Sequence, residues 1–103
     1  MKYLVALGCT PENMKESSIE KYLVRRVTEA GGLAIKLPAT FKAGLPDRLV
    51  LLPGGRAAFV ELKAPGAKPR PLQERVHEIL RGLGFRVEVA DTYESIRTFI
   101  KSL

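Results

Sequence analysis

Asp47, Glu61 and Lys63 are the residues best placed to do chemistry together. Asp47 follows Gly44-Leu45-Pro46, and Glu61-Leu62-Lys63 begins fourteen positions later. An aspartate opening one strand and a Glu-x-Lys closing the next bring two carboxylates and an ammonium to one spot. Hard oxygen donors of this kind suit a divalent cation, and an ammonium beside them can steer a water and offset phosphoryl charge. The chemistry such a trio implies is hydrolysis of a phosphodiester.

Each member also has a plainer reading. Glu61 and Lys63 share one face of a strand while Val60 and Leu62 take the other, so they could be a solvated i,i+2 ion pair. Asp47 could be a turn residue at a strand start. Two further polar residues carry the same ambiguity. Glu20 has capping-box spacing from Ser17, yet shares a helical row with Val24 and Val27 at the edge of an apolar stripe. Gln73 abuts the buried face of a second helix, where it could bond the helix start or face Glu61 and Lys63.

The elements that must position these residues follow from periodicity. Ile19, Leu23, Val27 and Ala30 predict a helix from about Asn13 to Ala30, stopped by Gly31-Gly32. Leu33–Leu37 suits a strand, and 38–46 a loop. Arg48–Leu52 and Ala57–Lys63 form two strands joined by Pro53-Gly54-Gly55-Arg56, a tight hairpin signal. The hairpin runs them antiparallel, so Asp47 and Glu61/Lys63 fall at one end. After the Pro- and Gly-rich segment 64–71 comes a helix expected to bury Leu72, Val76, Ile79, Leu80 and Leu83. Phe85–Val89 is a fourth strand. Thr92–Leu103 is a closing helix that buries Ile96, Phe99, Ile100 and Leu103, with Asp91 and Glu94 at its start. The order α-β-β-β-α-β-α is an α/β protein, a mixed sheet with helices packed on it.

Composition limits the partners. The chain has 103 residues, one domain's worth, with net charge +6 and pI about 9.8, so a polyanion is the natural partner. Charge alone does not separate an enzyme from a structural nucleic-acid binder. No stretch approaches the ~20 apolar residues of a membrane span, and Tyr3–Leu7 is too short for a signal peptide core, so it reads as a strand or an ordered arm. The single cysteine, Cys9, offers neither disulfide nor zinc cluster and fits a reducing cytoplasm. His77, the only histidine, reads as a partly exposed helix residue rather than a base. Lys68 and Arg70 flank the expected site on one approach, Lys36 and Lys42 on the other.

Gly44-x-Pro46-Asp47 followed by Phe59-Val60-Glu61-Leu62-Lys63 resembles the PD-(D/E)xK nuclease superfamily. Adding Ile19-Glu20, Arg48, Pro65-Gly66 and Pro71-Leu72-Gln73 makes the likeness specific to the VRR-NUC branch, from about Met14 to Leu103, with residues 1–13 an extension outside the family core. The resemblance implies a restriction-endonuclease-like α-β-β-β-α-β core plus a C-terminal helix. It implies Mg²⁺ or Mn²⁺ on Asp47, Glu61 and the Leu62 backbone carbonyl, with Glu20 joining directly or through water. Lys63 would contact the attacking water and the phosphate, and Gln73 would orient groups at the site. Lys36, Lys42, Lys68 and Arg70 would hold DNA by its backbone, with no small-molecule cofactor. By analogy with small stand-alone members, the expectation is a homodimeric, structure-selective DNA endonuclease of Holliday-junction type. A flap or other branched-DNA nuclease and a non-cleaving DNA-binding module on the same scaffold are the alternatives. A sequence-specific restriction-type enzyme is disfavoured, because no extra loops remain to read bases.

Overall fold

The structure is a computed structural model that describes residues 15–38 and 43–103. The expected arm at Tyr3–Leu7, and Lys42, lie outside the described residues. Helix α1 (Glu16–Glu29) is followed by strands β1 (Leu33–Lys36), β2 (Arg48–Leu52) and β3 (Arg56–Leu62). Helix α2 (Pro71–Gly82), strand β4 (Val87–Ala90) and helix α3 (Tyr93–Ser102) complete the described chain. The four strands form one sheet in the order β1-β2-β3-β4, and α2 is the crossover between the last two. The first two pairings are antiparallel and the β3–β4 pairing is parallel, so the sheet is mixed, as the element order predicts.

Helix α1 ends where its glycines allow it to. Gly31 takes φ +84°, and the amides of Gly31 and Gly32 donate back to the Thr28 and Val27 carbonyls. This is a Schellman stop, which caps carbonyls the helix leaves unpaired. Its start differs from the expected capping box. Lys15 is the N-cap and its side chain makes no capping bond, so Ser17 sits inside the first turn. The last helix also departs in detail: Thr92, not Asp91, is the N-cap, and it exchanges hydrogen bonds with Ser95.

The main core lies on one face of the sheet. Val50, Leu52, Ala58, Val60 and Leu62 pack against Ile19, Leu23 and Val27 of α1 and against Ile96 and Phe99 of α3. Full burial of each such side chain is worth about 1.5–3 kcal/mol, which fixes the register of β2 and β3. Because strand side chains alternate, Leu49, Phe59 and Glu61 must project to the opposite face. Tyr22 and Tyr93 stack at 4.2 Å between ring centres and tie α1 to α3.

Helix α2 covers part of the second face, but not with the expected stripe. Leu72, Ile79 and Leu83 are exposed, whereas Gln73, Val76 and His77 are buried. The helix is rolled so that two polar residues meet the sheet. The reason is what the sheet presents there: Glu61 and Lys63, which need hydrogen-bonding partners that leucines cannot provide.

Candidate active site

Three segments meet at the end of β3. The loop 43–47 approaches α2 so closely that only glycine fits at position 44. There φ is +87°, and a Cβ would lie 2.9 Å from the Leu72 carbonyl oxygen and from Val76 Cγ2. Gly44 thus gives way to the backbone of α2. Pro46 is fully buried behind the loop, which sets Asp47 just ahead of β2. Arg48 pairs with Val60, so Asp47 arrives beside Glu61. Its Oδ2 accepts the backbone N–H of Leu62 at 2.8 Å.

Glu61 lies at the centre and is 1% exposed. Its Oε2 accepts from Gln73 Nε2 at 2.9 Å and stands 3.4 Å from Lys63 Nζ. Gln73 is fixed in turn, because its Oε1 accepts the Arg70 backbone N–H at 2.9 Å. Both open readings of Gln73 therefore hold at once: one end of the amide bonds the helix start, the other the carboxylate. Burial, followed by the charge of Asp47, pushes the Glu61 carboxyl up to about 7, against the pull of Lys63. A carboxylate so placed has a strong demand for positive charge.

His77 is where the sequence reading fails. It is 1% exposed rather than partly exposed, and its Nε2 faces Glu61 Oε1 at 3.7 Å. Burial, with the nearby Arg81 charge, lowers its proton affinity, so the ring is neutral at ordinary pH. The signal that could have found it is spacing: His77 lies four residues after Gln73, on the same face of one helix.

Glu20 is not brought to this cluster. Its Oε2 is held by Arg48, at 3.0 Å from both Nε and Nη2. Arg48 alternates with Val50 and Leu52, so the pair lies toward the α1 side of the sheet. Among the described residues, no three His, Cys, Asp or Glu side chains gather where they could hold a metal ion. Asp47 and Glu61 are the two carboxylates that meet. Asp47, Arg70 and Gln73 line an open cleft between the loop at 43–45 and the start of α2. Arg70 is exposed at this cleft, whereas exposed Lys68 lines a separate pocket with Glu74, His77 and Asp91, and Lys36 is exposed on β1 opposite Arg48.

Residues 12–93 match the VRR-NUC domain family. The chain belongs to the VRR-NUC family. It is similar to "Putative nuclease p44" of Acyrthosiphon pisum secondary endosymbiont phage 1, with 49% identity over 81 residues, 79% of this chain and 87% of that protein. A solved VRR-NUC domain superimposes with a TM-score of 0.79 at 38% identity, covering 85% of this chain and 96% of the other. This VRR-NUC chain is therefore a nuclease domain, and the mixed sheet with its three described helices is the fold of that family. No helix among the described residues is long and apolar enough to cross a membrane.

Proposed function

We propose that this VRR-NUC domain is a divalent-metal-dependent DNA endonuclease whose site is Asp47, Glu61, Lys63 and Gln73. The observation that carries the reading is the fully buried Glu61, with Oε1 unpartnered, Asp47 beside it and Lys63 Nζ at 3.4 Å. The donor set fits Mg²⁺ or Mn²⁺, since such ions are held by one or two carboxylates and keep several waters. Asp47, Glu61 and the Leu62 backbone carbonyl would hold the ion. When bound, it supplies positive charge that polarises the phosphodiester and makes water easier to deprotonate.

The protein's own groups account for the rest. Lys63, largely buried and anchored on Glu61, orients the attacking water and offsets charge that develops on the phosphoryl oxygens. Gln73 fixes the Glu61 carboxylate. Arg70, exposed at the cleft, and Lys68, exposed two residues before it on the same loop, grip the phosphate backbone without reading base edges, so affinity falls steeply with salt. Glu20, engaged by Arg48, acts at most through water. Substrate choice is then by DNA shape, with a branched junction cut by a homodimer, since two sites are needed to cut two strands symmetrically.

The test is cleavage of labelled four-way junction, flap, duplex and single-stranded DNA with Mg²⁺, Mn²⁺ or EDTA. Metal-dependent junction cutting that disappears in Lys63→Ala is the expected result. Cutting that persists in EDTA removes the metal assignment, and equal cutting of plain duplex removes structure selectivity. Tight junction binding without cleavage makes the chain a binding module.

A further inference from the structure

Glu61 Oε1 and His77 Nε2 are both completely buried and neither has a hydrogen-bond partner. They face each other at 3.7 Å. That separation is slightly too long for a hydrogen bond and too short for a water between them, which needs roughly 5 Å. The other oxygen of the same carboxylate is already held by Gln73 Nε2 at 2.9 Å. Gln73 and His77 stand one turn apart on α2, so the helix presents one nitrogen to each oxygen of Glu61.

We propose that His77 is a positioning residue for Glu61, its ring donating Nε2–H to Oε1 and, with Gln73, locking the carboxylate in the orientation that receives the divalent ion. Hydrogen bonds of this kind are often long in the free protein and tighten when the site is filled. A core histidine with a merely space-filling role would direct its nitrogens to backbone groups or solvent, whereas this Nε2 points at a buried, unbonded carboxylate oxygen. The roll of α2, which exposes Leu72 and Ile79 while burying His77, follows from the same contact.

The inference rests on the metal-dependent reading above, and two measurements keep the two apart. The first uses Mn²⁺ alone, titrated calorimetrically into untagged protein without DNA. His77→Leu is expected to weaken binding about tenfold or more, as losses behind a ligand do. His77→Gln, which carries an N–H to nearly the same reach, is expected to retain most of it. His77→Asn, which reaches only as far as Nδ1, is expected to behave like leucine and serves in its place if that variant does not fold. The second measurement needs no metal: His77 is the only histidine, so ¹⁵N spectra report one ring. In alkaline buffer, where Glu61 is ionised, the Nε2–H tautomer is expected. A bare Nε2, equal Mn²⁺ affinity in the leucine or asparagine variant, or a glutamine variant as weak as either, overturns the proposal. Wild-type protein that binds no Mn²⁺ overturns the metal reading instead, while the tautomer still reports on the Glu61–His77 contact.

Discussion

Asp47 Oδ2 accepts the Leu62 backbone N–H at 2.8 Å, so one carboxylate both faces the site and completes the sheet. Strand β2 begins at Arg48, opposite Val60, two residues short of Leu62. The side chain of Asp47 supplies the acceptor that the strand no longer offers. Structure and chemistry are therefore coupled at this residue, and substitutions can separate them.

Asp47→Asn keeps an acceptor oxygen but loses the charge, whereas Asp47→Ala loses both. Both variants are expected to lose at least about a hundredfold in cutting rate, as removal of a key electrostatic group does. Only alanine leaves the Leu62 N–H unsatisfied, at a cost of about 1–3 kcal/mol in urea unfolding. An asparagine variant that cuts like wild type removes Asp47 from the site.

The convergence of Asp47, Glu61 and Lys63 was legible because it needs only strand alternation and a hairpin, both local rules. Val60 and Leu62 fix the core face, and Glu61 follows. The orientation of α2 was not legible. Its apolar residues Leu72, Ile79 and Leu83 outline a stripe on a helical wheel, but the helix answers to a buried glutamate that belongs to another element. For the same reason His77 looked like a partly exposed helix residue. Glu20 sat correctly at the inner edge of α1, yet its partner depended on how α1 packs over the start of β2, a contact between elements 28 residues apart in sequence.

Glu61 links the site to pH. Its folded-state value near 7 lies above its ordinary 4.5, so the folded protein holds a proton that the unfolded chain has released between those values. Stability contributed by this group therefore falls as pH rises from about 4.5 to 7 and is flat beyond, by a few kcal/mol at about 1.36 per pKa unit. His77 acts in the opposite sense, since its lowered value costs stability as pH drops below 6.5. Glu61→Gln removes the first effect and leaves the second. In EDTA, the glutamine variant is expected to match wild type in mildly acidic buffer, exceed it increasingly as pH rises to about 7 and hold a constant margin above that in chemical unfolding. A difference that does not change with pH contradicts the raised value.

Glu20 and Arg48 form a half-buried pair, with two guanidinium nitrogens on one carboxylate oxygen at 3.0 Å. A double-mutant cycle with Glu20→Gln and Arg48→Met is expected to give a coupling of about 1 kcal/mol, toward the upper end for partly exposed pairs. Because the pair lies apart from Asp47 and Glu61, Glu20→Gln is expected to cut more than ten times faster than Asp47→Asn, given the size of losses at groups that touch the reaction. Equal loss in the two variants places Glu20 among the groups at the metal.

The sheet face beyond α2 bears on assembly. Among the described residues strand β1 stands at the sheet's edge, and Leu33 and Ile35, 63% and 42% exposed, lie in register with Leu51 and Leu49 on the side away from the core. With exposed Phe85 and the outward leucines of α2, they form apolar surface that no other described residue covers, on a chain of net charge +6. DNA has little use for such a surface, since its backbone is bound by cations, whereas a second copy can bury it against itself. The double substitution Leu33→Glu and Ile35→Glu is expected to shift sedimentation from dimer to monomer at micromolar concentration while leaving Asp47 and Glu61 untouched. On a cruciform plasmid, a dimer that cuts both strands in one encounter yields linear product, and the monomeric variant should yield nicked circles. Wild type that sediments as a monomer, or a variant that still linearises the plasmid in a single encounter, rules out paired cutting through this face.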